Sequence, residues 1–218
     1  ADANVEVAIM PAGTANLLAN GLGIPIDLDA ALDVALTGDP HRIDVGQMNG
    51  ESFVVMAGTG FDALMIRDAD SGKERFGRVA YLAAGAKHVG RGANQAVRVE
   101  VDGERWYEGP ASCVLVGNFG RILGGVEVFP EARADDGRLD IGIVNAETRR
   151  EWMRVGARAV TGHIDSSPLV EVTQGSRVKV RLDHKMPWEL DGGDRPDTKK
   201  FDVTVLPGRV PVCVPVAS

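Results

Sequence analysis

A glycine-rich turn near the end of the sequence holds two carboxylates, Asp191 and Asp194, with Gly192 and Gly193 between them. A carboxylate on a rigid turn can take the proton of a hydroxyl group while that group attacks an electrophile. Asp194 reaches further and is the first candidate for this general base. Asp191 opens the turn and could instead bond to its own backbone. A turn that contains Gly and Asp only because turns favour them is the alternative.

A strand-to-helix junction near the start of the sequence could hold an anion. The apolar residues 5–9 predict a short strand, which Pro11 ends because proline cannot donate to a sheet ladder. Gly13 and Thr14 predict a tight turn, and a helix follows from Asn16, with Asn16 or Thr14 as its cap. Unpaired N–H groups at a helix start bind anionic groups. An ordinary capped turn is the alternative.

Two more aspartates lie where a strand meets a turn. Asp136 precedes Gly137 and a strand-like run at residues 139–144, and a carboxylate there could bind a hard cation. Taken alone, this stretch predicts a plain Asp-Gly turn. Asp62 follows a strand-like run and precedes a helical pattern, so a helix cap is one interpretation.

The elements that must position these side chains are mainly short strands. Hairpins are predicted where Asn-Gly, Asp-Gly or Pro-Gly separates two strand-like runs, namely 42–48 with 52–57, 96–101 with 104–109, and 201–206 with 210–215. Helices are predicted at residues 29–36, 76–89 and 147–160. We therefore expect a mainly β protein, an antiparallel β-sandwich with helical excursions over residues 43–206. The tail of an α/β domain would precede it in residues 1–42. Residues 207–218 are expected to form a terminal strand, for which a return to the first domain is one option.

Composition limits the classes of function. The 218 residues have a formal net charge of −7, which argues against a nucleic-acid-binding protein. The net charge does not exclude an enzyme that works at a membrane surface, because a local basic face can hide in an acidic total. No apolar run reaches the roughly 18 residues of a membrane span. The sequence shows no secretory signal peptide, so a cytoplasmic protein is expected. Because it starts without methionine and almost directly with a strand, we also expect a fragment of a longer protein.

Four stretches, in this order, resemble the diacylglycerol kinase catalytic family, which includes bacterial lipid kinases, sphingosine kinases and, more distantly, NAD kinases. Residues 11–19 are similar to its motif P-x-G-T-x-N-x-x-A, and residues 130–139 to P-x-A-x-x-x-D-G-x-L. Residues 188–194 resemble its D-G-E turn, and residues 206–215 resemble its closing L-P-G-x-x-x-V-x-V-P. The resemblance covers nearly the whole chain.

The resemblance implies the C-terminal two-thirds of a lipid kinase that uses ATP to phosphorylate a lipid hydroxyl, with diacylglycerol as the expected acceptor. The ATP site would lie between the two domains, and Thr14, with Gly13 and Asn16, would help to hold ATP. Asp62 would lie near that cleft, either in the polar network around the phosphates or as a helix cap. The family's G-G-D-G-T phosphate loop is absent from this sequence. We therefore expect the chain alone to be inactive.

The resemblance also implies a structural Mg²⁺ ion, bound by the Asp136 carboxylate and by the backbone carbonyls of Arg133 and Arg138. One carboxylate with carbonyls and waters suits this oxygen-seeking cation.

The expected general base is the acidic residue of the D-G-E turn, but Gly193 occupies the position of the glutamate. A carboxylate remains at Asp194, one residue later and one methylene shorter, or at Asp191. The choice between the two stays open on the sequence.

Other functions remain open on the sequence. One is a kinase of the same superfamily that acts on a sphingoid base or NAD. Another is a non-catalytic β-sandwich module that binds lipid or a partner protein. The expected partner is a lipid substrate at the inner membrane surface, with no nucleic acid, and a homodimer is an open option.

Overall fold

The computed structural model describes residues 5–13, 15–60, 94–122 and 126–216. The helix predicted at residues 76–89 and the candidate residues Thr14 and Asp62 lie outside these ranges. The described residues contain no helix with the length and apolar character needed to cross a membrane.

Strands dominate the described chain, and three helices accompany them. The helices are α1 (Leu17–Gly21), α2 (Leu28–Thr37) and α3 (Arg149–Val160). The strands are β1 (Asp39–Met48), β2 (Glu51–Phe53), β3 (Met56–Gly60), β4 (Gln95–Val101), β5 (Glu104–Ala111), β6 (Cys113–Gly117), β7 (Arg121–Ile122), β8 (Val126–Glu127), β9 (Leu139–Val144), β10 (Val170–Gly175), β11 (Arg177–Leu190) and β12 (Gly193–Val214).

Ten of these strands form one antiparallel sheet. Its order is β10-β9-β6-β3-β11-β12-β1-β2, and the β4–β5 hairpin joins it through β11. Strand β11 pairs with β4 along residues 178–182 and with β3 along residues 188–190. It therefore connects the hairpin to the β3–β6–β9–β10 part of the sheet. The predicted class, mainly β with antiparallel pairing and helical excursions, is confirmed.

Strands β3, β6 and β9 are buried along their whole length. Successive side chains of a strand face opposite sides. In β6, Val114 and Val116 belong to an inner core made of strand residues, which also contains Trp188. Cys113 and Leu115 belong to a second cluster, the outer core, which includes residues of α3 and is flanked by leucines of α1. Helices and loops thus cover the second face of these strands, and the candidate site lies on that face.

The predicted Asn-Gly and Asp-Gly hairpins are confirmed. Asn49 and Gly50 connect β1 to β2 with φ values of 50° and 90°. Asp102 and Gly103 connect β4 to β5 with φ values of 52° and 95°. Two successive positive φ values are typical of the type I′ turn, which matches the twist of the paired strands.

The predicted return strand at residues 52–57 is two strands with different partners. β2 ends at Phe53 and pairs with β1, whereas β3 starts at Met56 and pairs with β6 and β11. Val54 and Val55 lie between them, outside either ladder. This break forms part of the candidate site.

The predicted hairpin around Pro207 and Gly208 is wrong, because β12 runs through this point without interruption. β12 pairs with β1 on both sides of a bulge in which Asp44 alone lies opposite residues 207–209. The Gly208 N–H donates to Asp44 Oδ1 at 2.7 Å, and proline fits a bulge because it has no N–H to pair.

Asp102 fastens the β4–β5 turn to the start of β11. Its Oδ1 accepts the backbone N–H groups of Ser176 at 3.0 Å and Arg177 at 2.9 Å, and the Ser176 hydroxyl at 2.8 Å. Partial desolvation alone would raise the pKa of Asp102, but these hydrogen bonds outweigh it and leave the pKa below its ordinary value.

We predict that Asp102→Asn lowers the free energy of unfolding at neutral pH by about 1 kcal/mol at most, because water screens this exposed group. A carboxyl group whose pKa is lower in the folded than in the unfolded state stabilises the fold fully at pH values above its unfolded-state pKa. This stabilisation is lost as the pH falls through the lower, folded-state pKa. Urea unfolding of both proteins from pH 7 downward measures it. A stability difference that stays constant down to acidic pH would contradict the role of the charge.

Candidate functional site

A cavity of about 590 Å³ lies beside the break between β2 and β3. Three segments that are distant in sequence form its wall. They are the segment before and within α1, the break itself, and the end of the β11–β12 hairpin, with the lining residues 9–13, 15–19, 54–56, Glu189, Asp191 and Gly192. The cavity therefore brings together three of the candidate site residues, Gly13, Asn16 and Asp191.

The Asp191 carboxylate holds the break in place. Its Oδ2 accepts the Val54 N–H at 2.7 Å, and its Oδ1 accepts the N–H groups of Val55 at 2.8 Å and Met56 at 3.0 Å. The Asp191 N–H in turn donates to the Met56 carbonyl at 2.9 Å. One side chain thus replaces the sheet partner that three successive N–H groups would otherwise need.

Asn118 completes the same arrangement from the other side. Its backbone N–H donates to the Val55 carbonyl at 2.9 Å, and its Nδ2 donates to the Val54 carbonyl at 3.1 Å. Asn118 is buried, so these bonds form away from water. Every backbone N–H and carbonyl of residues 54–56 consequently has a partner through Asp191 or Asn118. A wall segment without a ladder is stable here because two side chains supply its hydrogen bonds.

Glu189 is a site residue that the sequence analysis missed. Its side chain is completely buried, and its Oε2 accepts the Gly192 N–H at 2.8 Å. Its neighbours Trp188 and Leu190 point into the inner core, so Glu189 points to the opposite face, on which the cavity lies. A glutamate in the otherwise apolar end of β11, residues 186–190, was the signal that could have identified it, because charged residues are rarely buried without a role.

Asp194 does not line the cavity. It is exposed at the start of β12, and it lies directly opposite Glu189 in the β11–β12 ladder. Directly opposed residues project from the same face of a sheet. The two predicted base candidates therefore differ, since Asp191 is engaged by three backbone N–H groups and Asp194 lies beside the cavity next to Glu189.

The segment before α1 differs from the predicted anion site. Asn16 precedes α1 with φ 46°, and its side chain does not cap the helix. Its Oδ1 instead accepts the Gly13 N–H at 2.9 Å. The predicted capping of α1 by the Asn16 side chain is therefore wrong, because Asn16 Oδ1 accepts the Gly13 N–H and not an N–H of the helix. α1 has only five residues, so its dipole adds little attraction for an anion.

The cavity is apolar with an acidic end. Among the described residues that line it, Glu189 and Asp191 are the charged ones, and none is Lys, Arg or His. Apolar wall residues include Met10, Leu17 and Val55. Such a site suits a molecule with an apolar body and a hydroxyl or amino group, and it repels phosphate groups.

The predicted metal-binding turn lies away from this cavity. Asp136 Oδ1 accepts the Arg138 N–H at 2.9 Å, and Asp44, buried and also missed by the sequence analysis, accepts the Gly137 N–H at 2.7 Å. Among the described residues, no group of three or more His, Cys, Asp or Glu side chains could hold a metal ion. The proposed ligands Asp136, Arg133 and Arg138 include only one such side chain, so they remain a prediction.

The charge around this turn fits a bound cation. The pKa of the nearby Asp140 is raised to about 6, mainly by burial and also by the negative charges of Asp136 and Glu131, while a hydrogen bond from Gln174 opposes the rise. A cation at the Asp136 turn would reduce this surplus of negative charge.

Comparison with known proteins matches two family models. Residues 55–214 match the YegS C-terminal NAD kinase beta sandwich-like domain, and residues 1–48 match the diacylglycerol kinase catalytic domain. A diacylglycerol kinase of Bacillus subtilis is 31% identical over 88% of this chain and 63% of its own length. A "Probable lipid kinase YegS-like" of Chromohalobacter salexigens is 30% identical over 97% of this chain and 68% of its own length.

The fold also matches a solved structure. The crystal structure of a diacylglycerol kinase from Bacillus anthracis superposes with a TM-score of 0.72 at 20% identity, covering 96% of this chain and 66% of that one. At this identity the likeness shows the fold alone. The chain spans 63% of the Bacillus subtilis protein and 61% of a diacylglycerol kinase of Staphylococcus carnosus, so it corresponds to a part of these relatives.

We predict that Asp191→Asn exposes the amides of residues 54–56 to hydrogen exchange. The amide keeps the positive-φ turn but loses the charge and one acceptor oxygen, which should cost roughly 1–3 kcal/mol. Mass spectrometry after exchange in D₂O measures the protection. Asp194→Asn, on the same hairpin, is the control and should leave these amides protected. Equal protection in wild type and Asp191→Asn would contradict the role of this carboxylate.

We also predict that Mg²⁺ raises the melting temperature of the protein and that Asp136→Ala removes this dependence, because a ligand that binds only the folded state stabilises it. Asp135→Ala is the matched control, since Asp135 is adjacent and pairs with Arg133 and His41 instead. Thermal unfolding with Mg²⁺ and with chelator measures both. If the melting temperature of Asp136→Ala still rises with Mg²⁺, the ion binds elsewhere.

Proposed function

The chain belongs to the lipid kinase family defined by a diacylglycerol kinase catalytic domain and a YegS-type C-terminal β-sandwich, and we propose that it is part of an enzyme that phosphorylates a lipid hydroxyl with ATP. Diacylglycerol, which would give phosphatidic acid, is the proposed acceptor. In this reaction the lipid oxygen bonds to the γ-phosphorus, the bond to the β–γ bridging oxygen breaks, and ADP leaves. The hydroxyl proton passes to a carboxylate.

The observation on which this proposal rests is the apolar cavity with an acidic end. Residues such as Met10, Leu17 and Val55 offer an apolar surface for the lipid body, while Glu189 and Asp191 form the acidic end of the cavity, and Asp194 lies opposite Glu189 in the β11–β12 ladder. A triphosphate would meet two carboxylates and no cation among the described lining residues. The cavity is therefore proposed as the site of the acceptor.

We propose that ATP lies beside this cavity, against the segment that contains Gly13, Thr14 and Asn16, with Asp62 at the edge of the phosphates. The bond between Gly13 and Asn16 fixes the shape of that segment, which supports a role in positioning. A separate phosphate-binding loop must supply the main charge neutralisation, because phosphoryl transfer depends on positioning and electrostatics around the triphosphate.

Asp194 is the proposed general base. Asp191 already accepts three backbone hydrogen bonds, and Glu189 is completely buried and accepts the Gly192 N–H. These two carboxylates are proposed to position the turn, so that Asp194 meets the hydroxyl from the same face of the sheet. Mg²⁺ at Asp136, with the carbonyls of Arg133 and Arg138, is proposed to stabilise the fold.

A sphingoid base is a second candidate acceptor, because the acidic end of the cavity would also attract its amino group. NAD fits less well, since its phosphates would face Glu189 and Asp191. A kinase with either lipid would work from the cytoplasm at the inner membrane surface.

The test is phosphorylation of a panel of diacylglycerol, a sphingoid base and NAD with radiolabelled ATP and Mg²⁺. It uses a longer protein that contains this chain together with a phosphate-binding loop, and the 218-residue chain in parallel. We expect label in phosphatidic acid with the longer protein and no turnover with the 218-residue chain. Label in NAD alone, or in none of the three, would overturn the proposed function.

In the same assay we predict that Asp194→Asn lowers kcat by roughly 10²–10⁴-fold with an unchanged melting temperature, as expected for loss of a general base. Glu189→Gln is the matched comparison and should lower stability more than Asp194→Asn does, because the Glu189 side chain is completely buried and accepts a backbone N–H, whereas Asp194 is exposed. Near-normal turnover in Asp194→Asn, with loss of turnover in a stable Glu189→Gln, would move the base to Glu189.

A further inference from the structure

Helix α3 begins at a complete capping box. The Thr148 hydroxyl accepts the Glu151 N–H at 3.2 Å, and Glu151 Oε2 accepts the N–H groups of Thr148 and Glu147, both at 2.8 Å. These bonds satisfy N–H groups that a helix start otherwise leaves unpaired. The Glu151 carboxylate is thereby occupied at the end of the helix.

One face of α3 is buried and the other is exposed. Val155 and Ala159 are buried in the outer core, and Trp152 packs against it. The opposite face is exposed and consists of Arg149, Arg150, Met153, Arg154 and Ala157, which a helix of 3.6 residues per turn brings together. Met153, 63% exposed, lies among the arginines. We call these five residues the basic face of α3.

Within the described ranges, the arginines of this face, Arg149, Arg150 and Arg154, form no salt bridge and no side-chain hydrogen bond. Glu151 is the one acidic residue of α3, and its pKa is lowered mainly by the Thr148 backbone N–H and to a smaller extent by the charge of Arg154. Other exposed arginines are paired, for example Arg98 and Arg105, which share Glu108. The basic face is therefore a local concentration of positive charge on a chain whose net charge is −7.

Two of these charges also oppose the helix dipole. Arg149 and Arg150 lie in the first turn, where the partial positive charge of the helix start favours acidic residues. These two arginines therefore do not complement the helix dipole, and a negatively charged binding partner would compensate for this unfavourable position.

We propose that the basic face of α3 docks on a membrane surface that contains anionic lipids. Arg149, Arg150 and Arg154 bind lipid phosphate groups, and the exposed Met153 inserts among the headgroups. Basic side chains around an apolar one are typical of helices that lie at the interface of an anionic membrane. The outer core that seats α3 also contains Val55 and Met56 of the cavity wall, so both lie on the same face of the sheet. The purpose of docking, delivery of lipid to the cavity, rests on the proposed function, whereas the binding itself does not.

The test is sedimentation of the 218-residue chain with vesicles of phosphatidylcholine alone and with vesicles that also contain phosphatidylglycerol. We expect the chain to bind the anionic vesicles only. High salt should abolish this binding, because salt screens the attraction between exposed arginines and lipid phosphates. The double variant Arg150→Glu and Arg154→Glu should weaken binding on the order of tenfold or more. Met153→Ser should weaken binding at low salt as well, because it removes an apolar contact that salt does not screen.

The matched control is the double variant Arg98→Gln and Arg105→Gln, which removes two exposed arginines from the β4–β5 hairpin and should leave vesicle binding unchanged. Equal binding by wild type and the α3 double variant, binding to phosphatidylcholine alone, or no binding to anionic vesicles would each overturn the proposal. Binding of the chain to RNA but not to anionic vesicles would overturn the proposal as well.

Kinase activity separates this proposal from the proposed function. A longer protein that phosphorylates lipid in detergent micelles, and whose activity on vesicles is unaffected by the α3 double variant, leaves the function intact and overturns the docking surface. Vesicle binding that requires the basic face, without phosphorylation of any lipid, supports the docking surface and overturns the function.

Discussion

The site depends on a short backbone segment whose hydrogen bonds come from two side chains. Residues 54–56 have left the β1–β2 ladder, and the Asp191 carboxylate and Asn118 supply the partners that a neighbouring strand would have provided. A buried backbone group without a partner costs free energy comparable to a lost hydrogen bond. This exchange of partners lets β2 pair with β1 while β3 pairs with β6 and β11, and it leaves space for the cavity between them.

The cavity, the Asp136 turn and the basic face of α3 differ in local charge, and each suits a different proposed ligand. The cavity has carboxylates at one end, which suits an uncharged or amino-bearing acceptor and disfavours phosphates. At the Asp136 turn the pKa of Asp140 is raised mainly by burial and further by the negative charges of Asp136 and Glu131, and a cation would be attracted to those charges. The basic face of α3 has unpaired arginines, which suit anionic headgroups. An overall charge of −7 conceals these differences, because a net charge says nothing about where charges lie.

Local chemistry explains what could be predicted from the sequence. The Asn49 and Asp102 turns follow from residues that tolerate positive φ, and the helix predicted at residues 29–36 is present as α2. Contacts between distant residues could not be predicted, because no local pattern encodes them. Asp191 meets a segment about 136 residues away, and the continuity of β12 depends on Asp44 across the bulge. The domain division and the roles of Asp194 and Asp136 remain predictions.

The central claim is that the cavity receives the lipid and not the nucleotide. Photoaffinity labelling tests it most directly, with a diacylglycerol that bears a photoreactive group near its hydroxyl and, separately, a photoreactive ATP analogue. We predict that peptides containing residues 54–56 acquire the lipid label and that unlabelled diacylglycerol competes for it. Labelling of residues 54–56 by the nucleotide instead of the lipid would contradict the claim.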